Sequence, residues 1–162
     1  MKVQIAFDAI PQEKGVYILI LRVEELLNLS IGSLGSVTVK PGLYAYVGSA
    51  RSFGGLRSRI KHHLMKEKKR LWWHIDYLTS LSNVKILCVV YGLTELDLEE
   101  CIAEALSKSS CWRYAIPGFG SSDKRSYSHL FNCVCNTSQC IDDSKKALQR
   151  CVGSANTICF NA

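Results

Sequence analysis

The sequence predicts an α/β fold of the α+β type, in which helices flank a small, mainly antiparallel sheet. Three short apolar segments, at residues 15–23, 43–48 and 84–91, are rich in β-branched or aromatic residues, as buried strands are. The stretches between them carry turn residues or apolar residues at helical spacing. We therefore expect about three core strands and a hairpin, with helices packed on the sheet.

The first half of the chain alternates between strand-like and turn-like segments. The run GVYILILRV over residues 15–23 predicts a buried strand, and residues 29–31 and 37–39 flank a Gly-Ser-Leu-Gly turn that predicts a hairpin. The segment LYAYVG predicts a second core strand. Tyr44 and Tyr46 should share one of its faces, because strand side chains alternate with period two.

The helical segments are set by glycines, caps and apolar spacing. A first helix is predicted from Gly55 to about Lys68, followed by a helical or turn segment over residues 72–81. Thr94 resembles an N-cap, which predicts a further helix over residues 95–108 with most of its acids in the first two turns.

The last thirty residues differ in composition from the rest. We expect one domain over residues 1–132 and a cysteine-rich, poorly ordered tail over 133–162, with a short helix near 142–152. Five of the eight cysteines lie in this tail, and the other three sit in apolar segments where cysteine acts as a small core residue. Free thiols are the expectation; disulfides, or a metal or redox module built on the tail cysteines, are the alternatives.

Membrane insertion and export are not indicated by the sequence. No run of 18 apolar residues exists, and no long apolar core follows Lys2. The expected location is therefore the cytoplasm, with no membrane partner.

A basic window between residues 51 and 73 carries the charge signal. Eight basic residues oppose the single acid Glu67, whereas the whole chain has a net charge of +6. Such a window favours a polyanionic partner, although a solvated helix face is the alternative. The residues expected to contact nucleic acid are Arg51, Arg57, Lys61, Lys66, Lys69 and Arg70.

Two strand motifs resemble those of a nuclease superfamily. Gly15-Val16-Tyr17 and Tyr46-Val47-Gly48 are similar to the two halves that name the GIY-YIG superfamily. In that superfamily an arginine, and often a histidine one turn later, follow on a helix, and Arg59 and His63 stand in those places. A glutamate near the start of a later helix holds the metal there. The resemblance assigns this role to Glu100, with Glu99 as its rival.

The resemblance extends to one largely archaeal, uncharacterised subfamily, domain of unknown function 123. The segments PGLYAYVGSA, GGLRSRIKHHL, WWHIDYL and PGFGSSD…SHLF are similar to its motifs and cover roughly residues 15 to 131. Four ordered motifs over that span are a specific signal, whereas one of the short tyrosine motifs alone would be a weak one.

The resemblance implies a divalent-metal-dependent endonuclease that hydrolyses phosphodiester bonds in DNA. A carboxylate can hold Mg²⁺ or Mn²⁺, a guanidinium can bind two phosphate oxygens, and a tyrosine beside them can accept a proton. The alternative is a non-catalytic module that binds DNA or RNA and recruits a DNA-repair enzyme. Without the resemblance, the tyrosines would be core aromatics and the glutamate a solvated helix acid.

Two further groups complete the candidates. His74, Asp76 and His129, together with Asp123, could extend the site, although structural hydrogen bonding is the favoured interpretation. Trp72 and Trp73, with Tyr77, could stack on bases, although at least one tryptophan is expected in the core.

Overall fold

A six-stranded antiparallel sheet forms the centre of the protein. The computed structural model describes residues 7–121 and 126–160. The sheet order is β6-β7-β4-β1-β5-β8, with β2 and β3 forming a separate antiparallel hairpin. In chain order the strands are β1 Gly15–Val23, β2 Leu27–Ile31, β3 Gly35–Val39, β4 Gly42–Ala50, β5 Val84–Leu93, β6 Trp112–Tyr114, β7 Leu130–Cys133 and β8 Asn156–Cys159.

Helices cover both faces of this sheet. They are α1 Gly55–Leu64, α2 Asp76–Thr79, α3 Glu99–Ser107 and α4 Thr137–Val152. One core joins α1, α2 and the hairpin to the face that carries Tyr17 and Leu19. A second core joins α3 and α4 to the face that carries Ile18 and Ile20. Because β1 is buried on both faces, its sequence is a continuous apolar run rather than an alternating one.

The structure confirms the fold class predicted from the sequence and adds three strands to it. β1, β4, β5 and the hairpin lie where the apolar patterns place them. The additional strands β6, β7 and β8 are only three or four residues long. Segments of that length are too short to show a period of two, and they are strands because they pair with longer neighbours.

Two helix boundaries predicted from the sequence are wrong. α1 ends at Leu64 rather than near Lys68, and Met65 is extended with ψ 124°. The run after Met65 is almost wholly charged and offers no apolar residue to bury. α3 begins at Glu99 rather than Glu95, because Thr94 Oγ1 accepts a hydrogen bond from Leu96 N at 3.0 Å and forms a turn instead of a helix cap.

The tail contains a longer helix than the sequence indicates. α4 spans residues 137–152, with Asn136 and Gln139 forming a capping box at its start. It packs Cys140, Ala147 and Leu148 into the second core, and β8 then pairs with β5. Much of the tail is thus packed against the sheet.

The expectation of free thiols is wrong: all eight cysteines are paired. The disulfides are Cys88–Cys159, Cys101–Cys151, Cys111–Cys135 and Cys133–Cys140. The spacing of the cysteines in the sequence does not predict these pairs, because the fold brings the bonded residues together. Paired thiols are not free to bind zinc, so the tail-cysteine metal module is not supported.

Within residues 7–121 and 126–160, no helix combines the length and apolar character that crossing a membrane requires.

Candidate active site

An open cleft lies at the end of the sheet where β1 begins and β4 ends. Its volume is about 460 Å³. Both strands, α1, α3 and the loops near residues 73 and 120 contribute to it. Its lining residues are Tyr17, Tyr46, Gly48, Ser49, Arg51, Ser52, Arg59, Trp73, Glu99 and Gly120. The structure therefore brings both motif tyrosines, Arg59 and one of the two rival glutamates to one hollow.

The two strand motifs meet directly in this cleft. Tyr17 of β1 and Gly48 of β4 are cross-strand partners in the antiparallel ladder. A Cβ at position 48 would lie 2.5 Å from the Tyr17 hydroxyl and 2.6 Å from its Cζ. The ring of Tyr17 thus lies over the backbone of Gly48. Because glycine has no side chain, it leaves room for the ring at this position.

Arg59 is held on the wall of the cleft by two neighbours. Its Nη1 donates to the carbonyl oxygen of Ser49 at 2.8 Å, and its guanidinium carbon lies 4.2 Å from the centre of the Trp73 ring. Stacking and hydrogen bonding restrict the planar group without neutralising it. Its charge opposes the rise that burial causes in the pKa of Tyr17, although burial dominates and that pKa stays raised.

His63 lies behind Tyr17 rather than in the cleft lining. Its Nε2 is 2.7 Å from the Tyr17 hydroxyl, and which atom donates depends on the imidazole tautomer. The imidazole is 1% exposed, and burial holds its pKa well below the usual value, so it is neutral. Burial likewise raises the pKa of Tyr46 well above its ordinary value. The pair of phenols is therefore protonated in the resting protein.

Glu99, not Glu100, is the carboxylate that lines the cleft. Ser49 Oγ donates to Glu99 Oε2 at 2.5 Å, and the fully buried His129 places its Nδ1 3.4 Å from Glu99 Oε1. Burial by itself raises the pKa of Glu99, but the neighbouring His129 imidazole and the hydrogen bond from Ser49 outweigh it, so the pKa is lowered and the carboxylate is ionised.

Glu100 points to the other side of His129. Its Oε1 lies 3.4 Å from His129 Nε2, and its Oε2 accepts a hydrogen bond from Ser126. The sequence-based assignment favoured Glu100 over Glu99, but it depended on a helix register that the sequence cannot fix. The structure gives the cleft-facing position to Glu99.

His74 and Asp76 support the walls of the cleft. Asp76 is fully buried and accepts hydrogen bonds from the backbone N–H groups of Trp72 and Trp73 at 2.8 and 3.0 Å, while His62 lies 2.9 Å from its second oxygen. His74 Nδ1 accepts a hydrogen bond from Gly120 N at 2.9 Å. These contacts match the structural interpretation. Asp123 lies outside the described residues.

The six basic residues expected to bind nucleic acid divide into different environments. Arg51 lines the cleft and forms a 3.4 Å ion pair with Asp97. Arg57 instead donates to the carbonyl oxygens of Ile10 and Asp8. Lys66 donates to three carbonyl oxygens, those of Thr79, Leu81 and Val84. Lys61, Lys69 and Arg70 are exposed to solvent, as Arg51 and Lys66 also are.

Lys66 and Lys69 form a matched pair for separating stability from nucleic-acid binding. Lys66→Met should lower the free energy of unfolding by about 1–2 kcal/mol, because three carbonyl oxygens lose a charged donor. Lys69→Met should change it by less than about 0.5 kcal/mol; on the hypothesis of nucleic-acid binding it should also reduce the salt dependence of DNA binding by about one phosphate contact. Urea unfolding and anisotropy at several salt concentrations measure the two effects. A larger salt effect for Lys66→Met would contradict this division.

The donor set fits a hydrated Mg²⁺ rather than an all-protein metal cage. Among the residues that the structure describes, no group of three or more His, Cys, Asp or Glu side chains is arranged to hold a metal ion. Mg²⁺ commonly keeps several waters and takes one or two carboxylates together with substrate phosphates. The ionised, cleft-facing Glu99 meets that requirement, and Mn²⁺ has similar ligand preferences.

A family model matches most of the chain. The model describes a domain of unknown function, DUF123, and the match covers residues 16–152. The chain belongs to the DUF123 family. The match includes β1, β4, α1 and α3, which carry the cleft, and it continues through α4. No curated protein and no solved structure matches the chain.

The structure adds several residues to this DUF123 site that the sequence did not single out. Ser49 and Gly120 line the cleft through loop and strand-end geometry, for which the sequence gives no specific signal. Trp73 was expected either to stack on bases or to lie in the core. Neither tryptophan is a core residue: Trp72 is 65% exposed and Trp73 37% exposed. Their place at the end of the basic window was the available signal.

Proposed function

We propose that this DUF123 protein is a divalent-metal-dependent endonuclease that hydrolyses phosphodiester bonds in DNA. The observation that carries the proposal is the single cleft lined by Tyr17, Tyr46, Arg59 and Glu99. Two phenols, a fixed cation and an ionised carboxylate are the groups needed to position a phosphate, counter its charge and move a proton. The resemblance of the two strand motifs to GIY-YIG nucleases supports the same assignment.

Arg59 binds the substrate phosphate in this proposal. Its Trp73 and Ser49 contacts leave a rigid guanidinium on the wall of the cleft, so little freedom is lost when a phosphate oxygen arrives. Negative charge develops on the phosphate oxygens during hydrolysis, and a preorganised cation stabilises it. Arg51 also lines the cleft and has an exposed side chain, and it guides the DNA backbone toward the cleft.

Glu99 is the residue that would hold Mg²⁺ or Mn²⁺. The Ser49 hydrogen bond and the 3.4 Å contact with His129 hold its carboxylate, and the same two neighbours keep it ionised. When bound, the ion supplies Lewis-acid stabilisation of the phosphate and of the leaving oxygen.

Tyr17 and His63 move the proton. Because burial raises the pKa of Tyr17, its phenolate is not formed in advance. Instead the Tyr17 oxygen accepts a proton from the attacking water while its own proton passes over 2.7 Å to His63 Nε2. This relay needs the tautomer with its proton on Nδ1, and the phosphate's negative charge offsets the penalty of a buried imidazolium. Tyr46, on the next strand, lies beside this pair and orients the phosphate.

The proposal is tested by incubating the purified protein with branched, nicked and intact duplex DNA in Mg²⁺, Mn²⁺ or EDTA. We expect metal-dependent cleavage of at least one substrate, and a loss of about 10²–10³-fold in rate for Arg59→Ala. Leu26→Ala, an exposed change at the far end of β1, is the matched control and should retain full activity. Cleavage that survives both Arg59→Ala and Glu99→Gln would rule out this site.

The alternative function, a non-catalytic nucleic-acid-binding module, gives a different result in the same experiment. It predicts salt-dependent binding of DNA or RNA without cleavage in any metal. A DNA-repair enzyme would then be the partner that performs the chemistry.

A further inference from the structure

Phe53 is the most exposed large apolar side chain among the described residues. It is fully solvent-exposed and sits in the loop between β4 and α1. The loop is a defined turn: Gly55 N donates to Ser52 O at 3.1 Å, and Gly54 and Gly55 have φ angles of 91° and 59°. A single exposed apolar residue is ordinary. Phe53, however, lies beside a hollow in the surface.

Phe53 forms one wall of a second hollow of about 730 Å³. Leu93, which is 47% exposed, supplies more apolar surface. The polar and charged groups of the lining come from Gln12, Glu13, Lys14, Ser52, Thr94 and Glu95. A mostly apolar hollow with a few polar groups has the character of a site for an organic ring. Phe53 itself offers a flat, uncovered face of the kind on which nucleobases stack.

The backbone around this second hollow is fixed before any ligand arrives. Leu56 N donates to Glu13 O at 2.9 Å, and Thr94 N donates to Lys14 O at 3.2 Å. A Cβ at position 55 would lie 2.0 Å from Gln12 O, so the segment 12–14 is pressed against the start of α1. The backbone frame of the hollow is therefore preformed, so binding needs to order little besides the Phe53 side chain.

The second hollow continues from the candidate active site. Ser52 lines both the cleft and the hollow, and the preceding residue, Arg51, lines the cleft. A nucleic acid strand with one phosphate at Arg59 would therefore have this hollow within reach of a neighbouring nucleoside.

We propose that the hollow beside Phe53 binds the unpaired base of a nucleotide next to the phosphate held in the cleft. This inference rests on the proposed function and names its substrate class: nucleic acid with an unpaired or easily extruded nucleotide at the cutting position. Removing a base from a duplex stack is unfavourable, and least so when the base is already unpaired. A fully paired duplex therefore binds more weakly than the same duplex with a bulged nucleotide.

The test compares two fluorescein-labelled duplexes that differ only by one bulged adenine, in EDTA so that no cleavage occurs. By anisotropy the protein should bind the bulged duplex at least about 5-fold more tightly, within the range of base–aromatic stacking. Phe53→Ala should abolish this preference while leaving the affinity for the intact duplex unchanged. Phe53→Trp should retain it, and Leu26→Ala, an equally apolar but distant change, should behave as the unmodified protein does.

The outcomes separate this inference from the proposed function. Equal affinity for both duplexes, or a preference that persists in Phe53→Ala, overturns the base site even if both duplexes are cut with metal present. Preferential binding without cleavage in any metal supports the base site and overturns the endonuclease. Absence of binding to either duplex at low salt overturns both. Phe53 is fully exposed, so its replacement should not impair folding, which thermal melting verifies.

Discussion

Glu99→Gln should reduce metal-dependent DNA cleavage by about 10³-fold, whereas Glu100→Gln should reduce it by less than about 10-fold. Glu99 faces the cleft, and its carboxylate is fixed by Ser49 and His129. Glu100 contacts His129 and Ser126 instead. The amide of glutamine keeps the shape of the side chain but removes the negative charge that a hard cation requires.

Single-turnover cleavage rates measure the effect of each substitution. Electron paramagnetic resonance of Mn²⁺ gives an independent readout that does not depend on activity: Glu99→Gln should weaken Mn²⁺ binding and Glu100→Gln should not. The reverse pattern, with Glu100 dominant in both measurements, would mean that the cleft-facing position does not identify the metal ligand.

Gly48→Ala should reduce cleavage by about 10²-fold or more through displacement of Tyr17. The new methyl group would lie 2.5 Å from the Tyr17 hydroxyl, and the ring is 1% exposed. Any shift breaks the 2.7 Å contact with His63 and moves the phenol away from the attacking water. Overpacking of this kind also lowers the free energy of unfolding by about 1–3 kcal/mol.

A double-mutant cycle with Tyr17→Phe tests whether Gly48 acts through this phenol. Tyr17→Phe alone should impair cleavage, and adding Gly48→Ala to it should cause little further loss, because the group being displaced is already gone. Fully additive effects on the rate would show that Gly48 contributes by another route. Circular dichroism and a melting curve for each variant establish that the folded state is retained.

The sequence predicted the central strands well because their signal is strong and local. The run over β1 is apolar on both faces, and the Gly-Ser-Leu-Gly turn is bounded by β-branched segments. The short edge strands gave no such signal, since their pairing depends on long neighbours that are distant in sequence. The start of α3 was misplaced because Thr94 forms a turn with Leu96 that competes with helix capping.

Among the site residues, the sequence indicated types more reliably than positions. Tyr17, Tyr46 and Arg59 were singled out by motif and lie in one cleft, whereas the assignment of Glu100 over Glu99 depended on a helix register that the sequence does not fix. Roles set by three-dimensional neighbours could not be foreseen. Lys66 belongs to a basic window by sequence, yet its ammonium group serves three backbone carbonyl oxygens.

The four disulfides also restrict the conformations of the unfolded chain. Cys88–Cys159 and Cys101–Cys151 join the tail to β5 and α3 across 71 and 50 residues of sequence. With these cross-links closed, a heat-denatured molecule samples far fewer arrangements than a linear polymer of equal length, and its two halves cannot drift apart. The fraction of protein that refolds after heating should therefore depend on whether a thiol reductant was present during the heat step. This dependence arises because the disulfides restrict the unfolded chain, not because they change the folded sheet.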